Sequence, residues 1–194
     1  MLALDAVIKL VQDYEFKTVL DIGAGSRRDM GSAARYFEQH NKKVTRQDIN
    51  PEYDPDILGD FNNTAIQDQY DLVWCSHVLE HQLNVHQFLE KVFYTCKQDG
   101  LVCISVPPLK HEIVGGHVTL WNSGLLLYNM ILAGFDCSEA SVQERGYNIS
   151  VIVKKKKAEL PKLKYDHGDI IALSKFFPLP VSEGFYGKLE NINW

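Results

Sequence analysis

Apolar side chains recur at Leu4, Val7, Ile8 and Val11, the spacing of one helical face, so the chain is expected to open on an amphipathic helix. Lys17 to Ile22 (KTVLDI) then reads as a short buried strand, broken by Gly23-Ala24-Gly25. A helix with Met30, Ala33, Ala34 and Phe37 on one face is expected next, followed by a strand from Lys43 to Asp48 that ends at Asn50-Pro51. Glu52 to Gln69 is rich in turn formers and holds one short strand candidate, Asp56 to Leu58. Tyr70 to Cys75 (YDLVWC) carries the aromatic and branched residues of a buried strand.

The clearest helix comes next: Val85, Phe88, Leu89, Val92, Phe93 and Cys96 form an unbroken stripe, with Asn84 placed as its cap and Gly100 past its end. Leu101 to Val106 (LVCISV) is another buried strand, stopped by Pro107-Pro108. Asn122 or Ser123 caps a very apolar helix that ends at Gly134. Two strands, Asp136 to Glu144 and Tyr147 to Val153, complete the pattern. Helices alternating with strands predict an α/β fold, a Rossmann-like three-layer sandwich with a mostly parallel sheet. The last two strands are linked by only Arg145-Gly146, which demands an antiparallel pair. After Lys154 to Lys157 the periodicity fades, apart from a candidate helix over Ile170 to Phe177. This divides the chain into a domain over 1–157 and an extension over 158–194. The extension is expected to pack on the domain, because Phe176, Phe177, Phe185, Tyr186 and Trp194 are unfavourable in water.

Composition narrows the function classes. The chain of 194 residues is 45% hydrophobic and 23% charged, enough for one globular core. A net charge of −5 argues against a nucleic-acid partner, which wants a basic face. Asp5 and Lys9 interrupt the first apolar run, so no signal peptide is expected. The longest apolar stretch, Gly124 to Phe135, contains Asn129 and is too short to span a bilayer. Cys75, Cys96, Cys103 and Cys137 form no C-x-x-C pair and read as buried thiols of a cytoplasmic protein.

Candidate chemistry centres on VLDIGAGS, Val19 to Ser26, where glycines join a strand to a helix start and let a ligand approach the backbone. A dinucleotide fingerprint would place a third glycine where Arg28 stands. Asp21 ends the first strand, Asp48 ends the second, where an acid can take two ribose hydroxyls, and Asp60-Phe61 follows the third. Taken with VTRQDIN, GDF, YDLVWCSHVLEH, GLVCISVPP and HVTLW…AGF, this series resembles the class I S-adenosylmethionine-dependent methyltransferases, over roughly Leu4 to Val153. That resemblance implies S-adenosylmethionine as cofactor. Asp21, Gly23, Ala24 and Gly25 would hold its methionine part, Asp48 its ribose and Ile49, Asp60 and Phe61 its adenine, with Ser76 and His77 under the sulfonium. The family's usual third glycine is replaced by Arg27. Either the loop bends outward there, or an arginine meets an anionic group.

Histidine suits general-base work near neutral pH, which makes His77 and His117 the candidate catalytic residues. His77 to His81 also spells H-x-x-E-H, a zinc-protease pattern. The same letters form the VLEH segment that follows the fourth strand in the methyltransferases, so no metal is expected. The fourth strand ends in WCSH, without the N-P-P-Y type sequence of enzymes that methylate amino groups of DNA or glutamine. The expected acceptor is therefore a hydroxyl on a small molecule or saccharide. Two alternatives remain open at this level: a nicotinamide-dependent enzyme on a related fold, and a non-catalytic partner subunit.

Overall fold

The computed structural model describes residues 3–194. In chain order the elements are α1 (Leu4–Asp13), β1 (Thr18–Ile22), α2 (Ala33–Gln39), β2 (Lys43–Asp48), β3 (Ile57–Leu58), β4 (Tyr70–Ser76), α3 (Val85–Thr95), β5 (Cys96–Val106), α4 (Ser123–Leu132), β6 (Ser141–Arg145), β7 (Asn148–Lys154), α5 (Asp169–Leu173) and β8 (Asn191–Ile192). The strands form one sheet in the order β3-β2-β1-β4-β5-β7-β6-β8. The first five are parallel; β7 runs antiparallel to β5, and β6 antiparallel to β7. The expected α/β sandwich with an antiparallel end is the observed fold.

Strand side chains alternate between two cores, as the period of two requires. Along β4, Leu72 and Trp74 point into a smaller core with α1 and α2, while Val73 and Cys75 point into a larger one with α3 and α4. Along β5, Cys103 joins the first core, and Val102, Ile104 and Val106 join the second. Each fully buried Val, Leu or Phe in these layers contributes about 1.5–3 kcal/mol. The α3 face matches its sequence stripe, burying Phe88, Leu89, Val92 and Phe93, whereas α1 is rotated from its expected stripe: it buries Ala6, Val7 and Leu10 and leaves Leu4 exposed. Asn84 and Asn122 cap α3 and α4 by accepting from the amides of Gln87 and Leu125.

Three local expectations change. α2 begins only at Ala33, capped by Ser32, so Met30 lies in the preceding loop and is exposed. The chain passes from α3 straight into β5 at Cys96, which puts Gly100 inside the strand. There the β4–β5 register slips between Tyr70 and Leu72, and Asp99 takes a positive φ of 60°. β6 begins at Ser141 rather than Asp136, because Cys137 and Ala140 form a turn joined by a backbone hydrogen bond.

The residues after Ala158 extend both the core and the sheet. Leu173, Phe176, Phe177, Val181 and Leu189 share the larger core with Leu126, Leu127, Met130 and Ile131 of α4. β8 adds a last strand to β6, and Trp194 packs on the α1 side of the sheet. Tyr186 is exposed, so that aromatic covers nothing. The segment docks on the N-terminus of α4: Gly124 donates its amide to the Gly187 carbonyl at 2.7 Å, and Ser123 binds both the Leu189 carbonyl and the Glu144 carboxylate. A methyl group on Gly124 would overlap the Gly187 backbone and the Phe185 ring. Gly124→Ala is therefore expected to destabilise the fold by about 1–3 kcal/mol through overpacking. Thermal melts will show the loss, whereas Tyr186→Ala should change the stability by no more than about 0.5 kcal/mol.

Candidate active site

The sheet changes direction between β1 and β4, and ligands of open α/β sheets bind at the carboxyl ends of the strands beside such a point. A cavity of about 800 Å³ opens there, lined by Gly23, Gly25, Asp48, Ile49, Asp60 and Phe61 on one side and by His77, Val78, His81 and Gln82 on the other. A smaller recess of about 220 Å³ continues from it past Gly23 and His77 to Asp21, Ala24, Trp74 and Ser76. The ten residues expected from sequence around the cofactor, His77 included, thus line one or other of these two adjoining spaces.

Geometry explains the residue types. Gly23 has φ +66°, and a side chain there would collide with that of Val78, which crosses the loop. Asp48 accepts from the Gly25 amide at 2.8 Å and the Asn50 amide at 2.9 Å. It thereby pins the glycine loop to the end of β2 and still keeps acceptor capacity for a ligand. Ile49 is 68% exposed at the cavity, an apolar surface without cover. Asp60 is largely occupied by its own turn, accepting from the Asn62 amide and from the side-chain amides of Asn62 and Asn63. Phe61 is buried and packs edge-on against Phe88, so its ring is part core, part wall.

Sequence reasoning missed Asn62. Its amide nitrogen donates to Gln82 Oε1 at 2.8 Å, while its Oδ1 is buried and accepts no hydrogen bond. An orphaned acceptor on a cavity wall is a place for a ligand donor. Nothing in the sequence marks it, since Gln82 comes from the far side of the sheet's switch point. Arg27 is also resolved: it reaches Asp56 at 2.6 Å and the Asp54 carbonyl at 2.9 Å, so the loop bends outward and this arginine does not serve the cavity.

Asp21 is buried at the end of β1, and its carboxyl is pushed up to about 7. Burial is the main cause; Arg46 opposes it, and the neighbouring Asp48 charge adds to it. Arg46 itself is neutralised by a two-pronged pair with Glu38 at 2.7 and 2.9 Å.

His77 ends β4 in a left-handed conformation, φ 57°, held by its amide donating to Ser105. Its Nε2 meets Asn148 Oδ1 at 2.9 Å, its Nδ1 lies 3.2 Å from Glu80 Oε1, and its ring stacks on Tyr147. The Glu80 carboxylate raises its pKa, favouring the doubly protonated ring. Both ring nitrogens thus face protein oxygens. His117 lies elsewhere, on a third cavity of about 180 Å³ beyond Pro107-Pro108, with Lys110, Trp121 and Tyr147. Within the string His77 to His81, His77 precedes and His81 ends a single turn of 3-10 helix, Leu79–His81. The H-x-x-E-H letters therefore do not share a helix face.

A family model for a methyltransferase domain matches residues 2–156. The chain belongs to that family. The match takes in every element from α1 to β7 and sets aside the nicotinamide alternative. Solved structures agree on the fold. A 1,6-didemethyltoxoflavin-N1-methyltransferase from Burkholderia thailandensis superposes with a TM-score of 0.63 at 17% identity, over 80% of this chain and 78% of that one. A mitomycin 7-O-methyltransferase gives a TM-score of 0.59 at 15% identity, over 79% of this chain and 54% of that one. TehB from Haemophilus influenzae gives 0.59 at 15% identity, over 78% and 62%. This chain thus spans about half the length of the mitomycin enzyme. No curated protein sequence matches it. Among the described residues, no helix is long and apolar enough to cross a membrane.

In this methyltransferase domain the raised Asp21 carboxyl has a readable consequence. A group whose pKa climbs from 3.8 unfolded to about 7 folded holds its proton better in the native state. Its contribution is therefore full below pH 4 and lost as pH rises through 7. Asp21→Asn removes that loss. The variant should be more stable than the parent by on the order of 2 kcal/mol at pH 8, with the gap closing towards pH 4. Denaturant titrations across that range measure it.

Proposed function

We propose that the chain transfers the methyl group of S-adenosylmethionine to a hydroxyl of a small molecule or saccharide. The observation that carries the reading is the paired set of spaces around the switch point. One is walled by a glycine loop, a strand-end carboxylate and an orphaned amide oxygen; the other lies beyond His77 and His81, whose rings pack on Tyr147 and His117 of its wall. In the first, Asp48 would take the ribose hydroxyls, Ile49 would lie under the adenine, and Asn62 Oδ1 would accept from its exocyclic amine. Asp21 and the loop Gly23 to Gly25, with Ser76 opposite, would hold the methionine end. An aminoacyl ammonium beside Asp21 would restore the charged carboxylate, since an opposite charge favours ionisation.

The acceptor would enter the smaller cavity, past Lys110 and Tyr147. Its size suits a small group rather than a polymer segment. In the transfer a carbon–oxygen bond forms as the carbon–sulfur bond breaks; the sulfur keeps the electron pair, and the hydroxyl proton leaves to water. His77, held by Asn148 and Tyr147, serves as a positioning residue between the spaces, and His117 faces the acceptor. Catalysis then rests mainly on aligning acceptor oxygen, methyl and sulfur. The mitomycin 7-O-methyltransferase and the toxoflavin-precursor N-methyltransferase, both small-molecule enzymes by their names, support the small acceptor.

Titration calorimetry with S-adenosylhomocysteine tests the donor half. One site per chain is expected, weakened about tenfold or more by Asp48→Asn, in keeping with loss of a charged hydrogen bond worth about 1.5–3 kcal/mol. Absence of binding, or binding indifferent to Asp48→Asn, would refute the reading.

A further inference from the structure

Glu80 is wholly buried, yet neither carboxylate oxygen accepts a hydrogen bond of good geometry. The ring nitrogens beside it are His77 Nδ1 at 3.2 Å and His81 Nε2 at 3.9 Å. A buried carboxylate so poorly satisfied is costly unless a positive charge sits beside it. His117 closes the group: a carboxylate oxygen of Glu80 and one ring nitrogen each of His81 and His117 all lie within 4.8 Å of one another.

We propose that Glu80, His81 and His117 bind a divalent transition-metal ion, with zinc the best match. Two imidazoles and a carboxylate suit such an ion, and three protein ligands leave a position open. The ring of His81 is prepared for the task. Its Nδ1 lies 2.8 Å from the Gly116 carbonyl, so the proton sits there and the Nε2 lone pair faces Glu80. The approach is built by the loop: Gly116 has φ +79°, and a side chain at that position would press on His81 Nδ1. The loop is also stapled in place, since the amides of Val118 and Thr119 both donate to the Glu80 carbonyl and Thr119 Oγ1 donates to that of Leu79. These bonds carry His117 to His81, their rings 5.0 Å apart. The site is not the H-x-x-E-H pattern of the sequence, because His77 contacts Glu80 from the strand side and its place among the ligands is taken by His117.

The group stands between the larger cavity, which His81 lines, and the smaller one, which His117 lines. Its open position would take an oxygen of the acceptor. That last assignment rests on the methyl-transfer reading; the ion site itself does not.

The test uses the full-length protein, dialysed against a chelator and titrated with zinc by calorimetry and with cobalt by visible absorption. One ion per chain is expected, with affinity falling at least tenfold in both His81→Ala and His117→Gln and unchanged in His86→Ala, whose ring pairs with Glu90 away from the site. Melting curves will establish that each variant is folded. No saturable binding, or stoichiometric binding that survives both substitutions, would overturn the proposal. S-adenosylhomocysteine is titrated into the same samples. Its binding without zinc binding sinks the ion site alone, and zinc binding without it sinks the methyl-transfer reading alone.

Discussion

β1 is hydrogen-bonded in parallel register to β2 on one side and to β4 on the other, so that Ile22 lies opposite both Gln47 and Cys75. The chain leaves the two neighbouring strands in opposite directions, and no connection crosses the gap above β1. The carboxyl ends of three strands therefore stand open together. That places the glycine loop, the Asp48 carboxylate and the Ser76-His77 corner around one space. α2 on one face and α3 on the other seal the sheet below, which makes the opening the natural place for a ligand.

Charge in this site is arranged against stability. Asp21 and Glu80 are buried carboxylates that lack a full set of partners, while Arg46, close enough to help Asp21, is held by Glu38. Structural carboxylates elsewhere behave differently. Asp71 receives the amides of Lys17 and Thr18, the Thr18 hydroxyl and the Lys97 ammonium, and its pKa is pulled down. The contrast separates acids that hold the fold from acids that wait for a ligand. Polar groups left short of partners at a cavity wall are stabilised when a cation or donor arrives, and this is the physical content of the site's readiness.

The segment from Pro107 to Trp121 has no regular structure beyond a bridge between Pro108 and Trp121, yet it is held firmly. Its anchors are the backbone of the Leu79–His81 turn and the Trp121 ring, which is buried in the larger core. The same turn positions Glu80, so the walls of the larger and the smaller cavity share one short piece of chain. His77, in its left-handed conformation, is the hinge of that piece. Such a conformation in a non-glycine residue persists only where the surroundings hold it, here Ser105, Asn148 and Tyr147.

The elements were legible because their signals are local. Short apolar runs of branched and aromatic residues give β1, β4 and β5, period-3.6 stripes give α1 and α3, and asparagine caps mark the starts of α3 and α4. The positions that line the two spaces at the switch point were legible for the same reason: in this fold they sit at strand ends, and strand ends can be read from sequence. What the sequence alone determined was therefore the architecture and the glycine–aspartate half of the site. Tertiary structure decided the rest. It turned Arg27 onto Asp56 and away from the cavity, left Asn62 Oδ1 without a donor, and occupied both nitrogens of His77. It also brought His117 across 36 positions of chain to His81 and Glu80 (117 − 81 = 36). None of these has a period or a spacing, because each depends on which distant groups meet once the sheet is assembled, and that is set by packing rather than by neighbours in the chain.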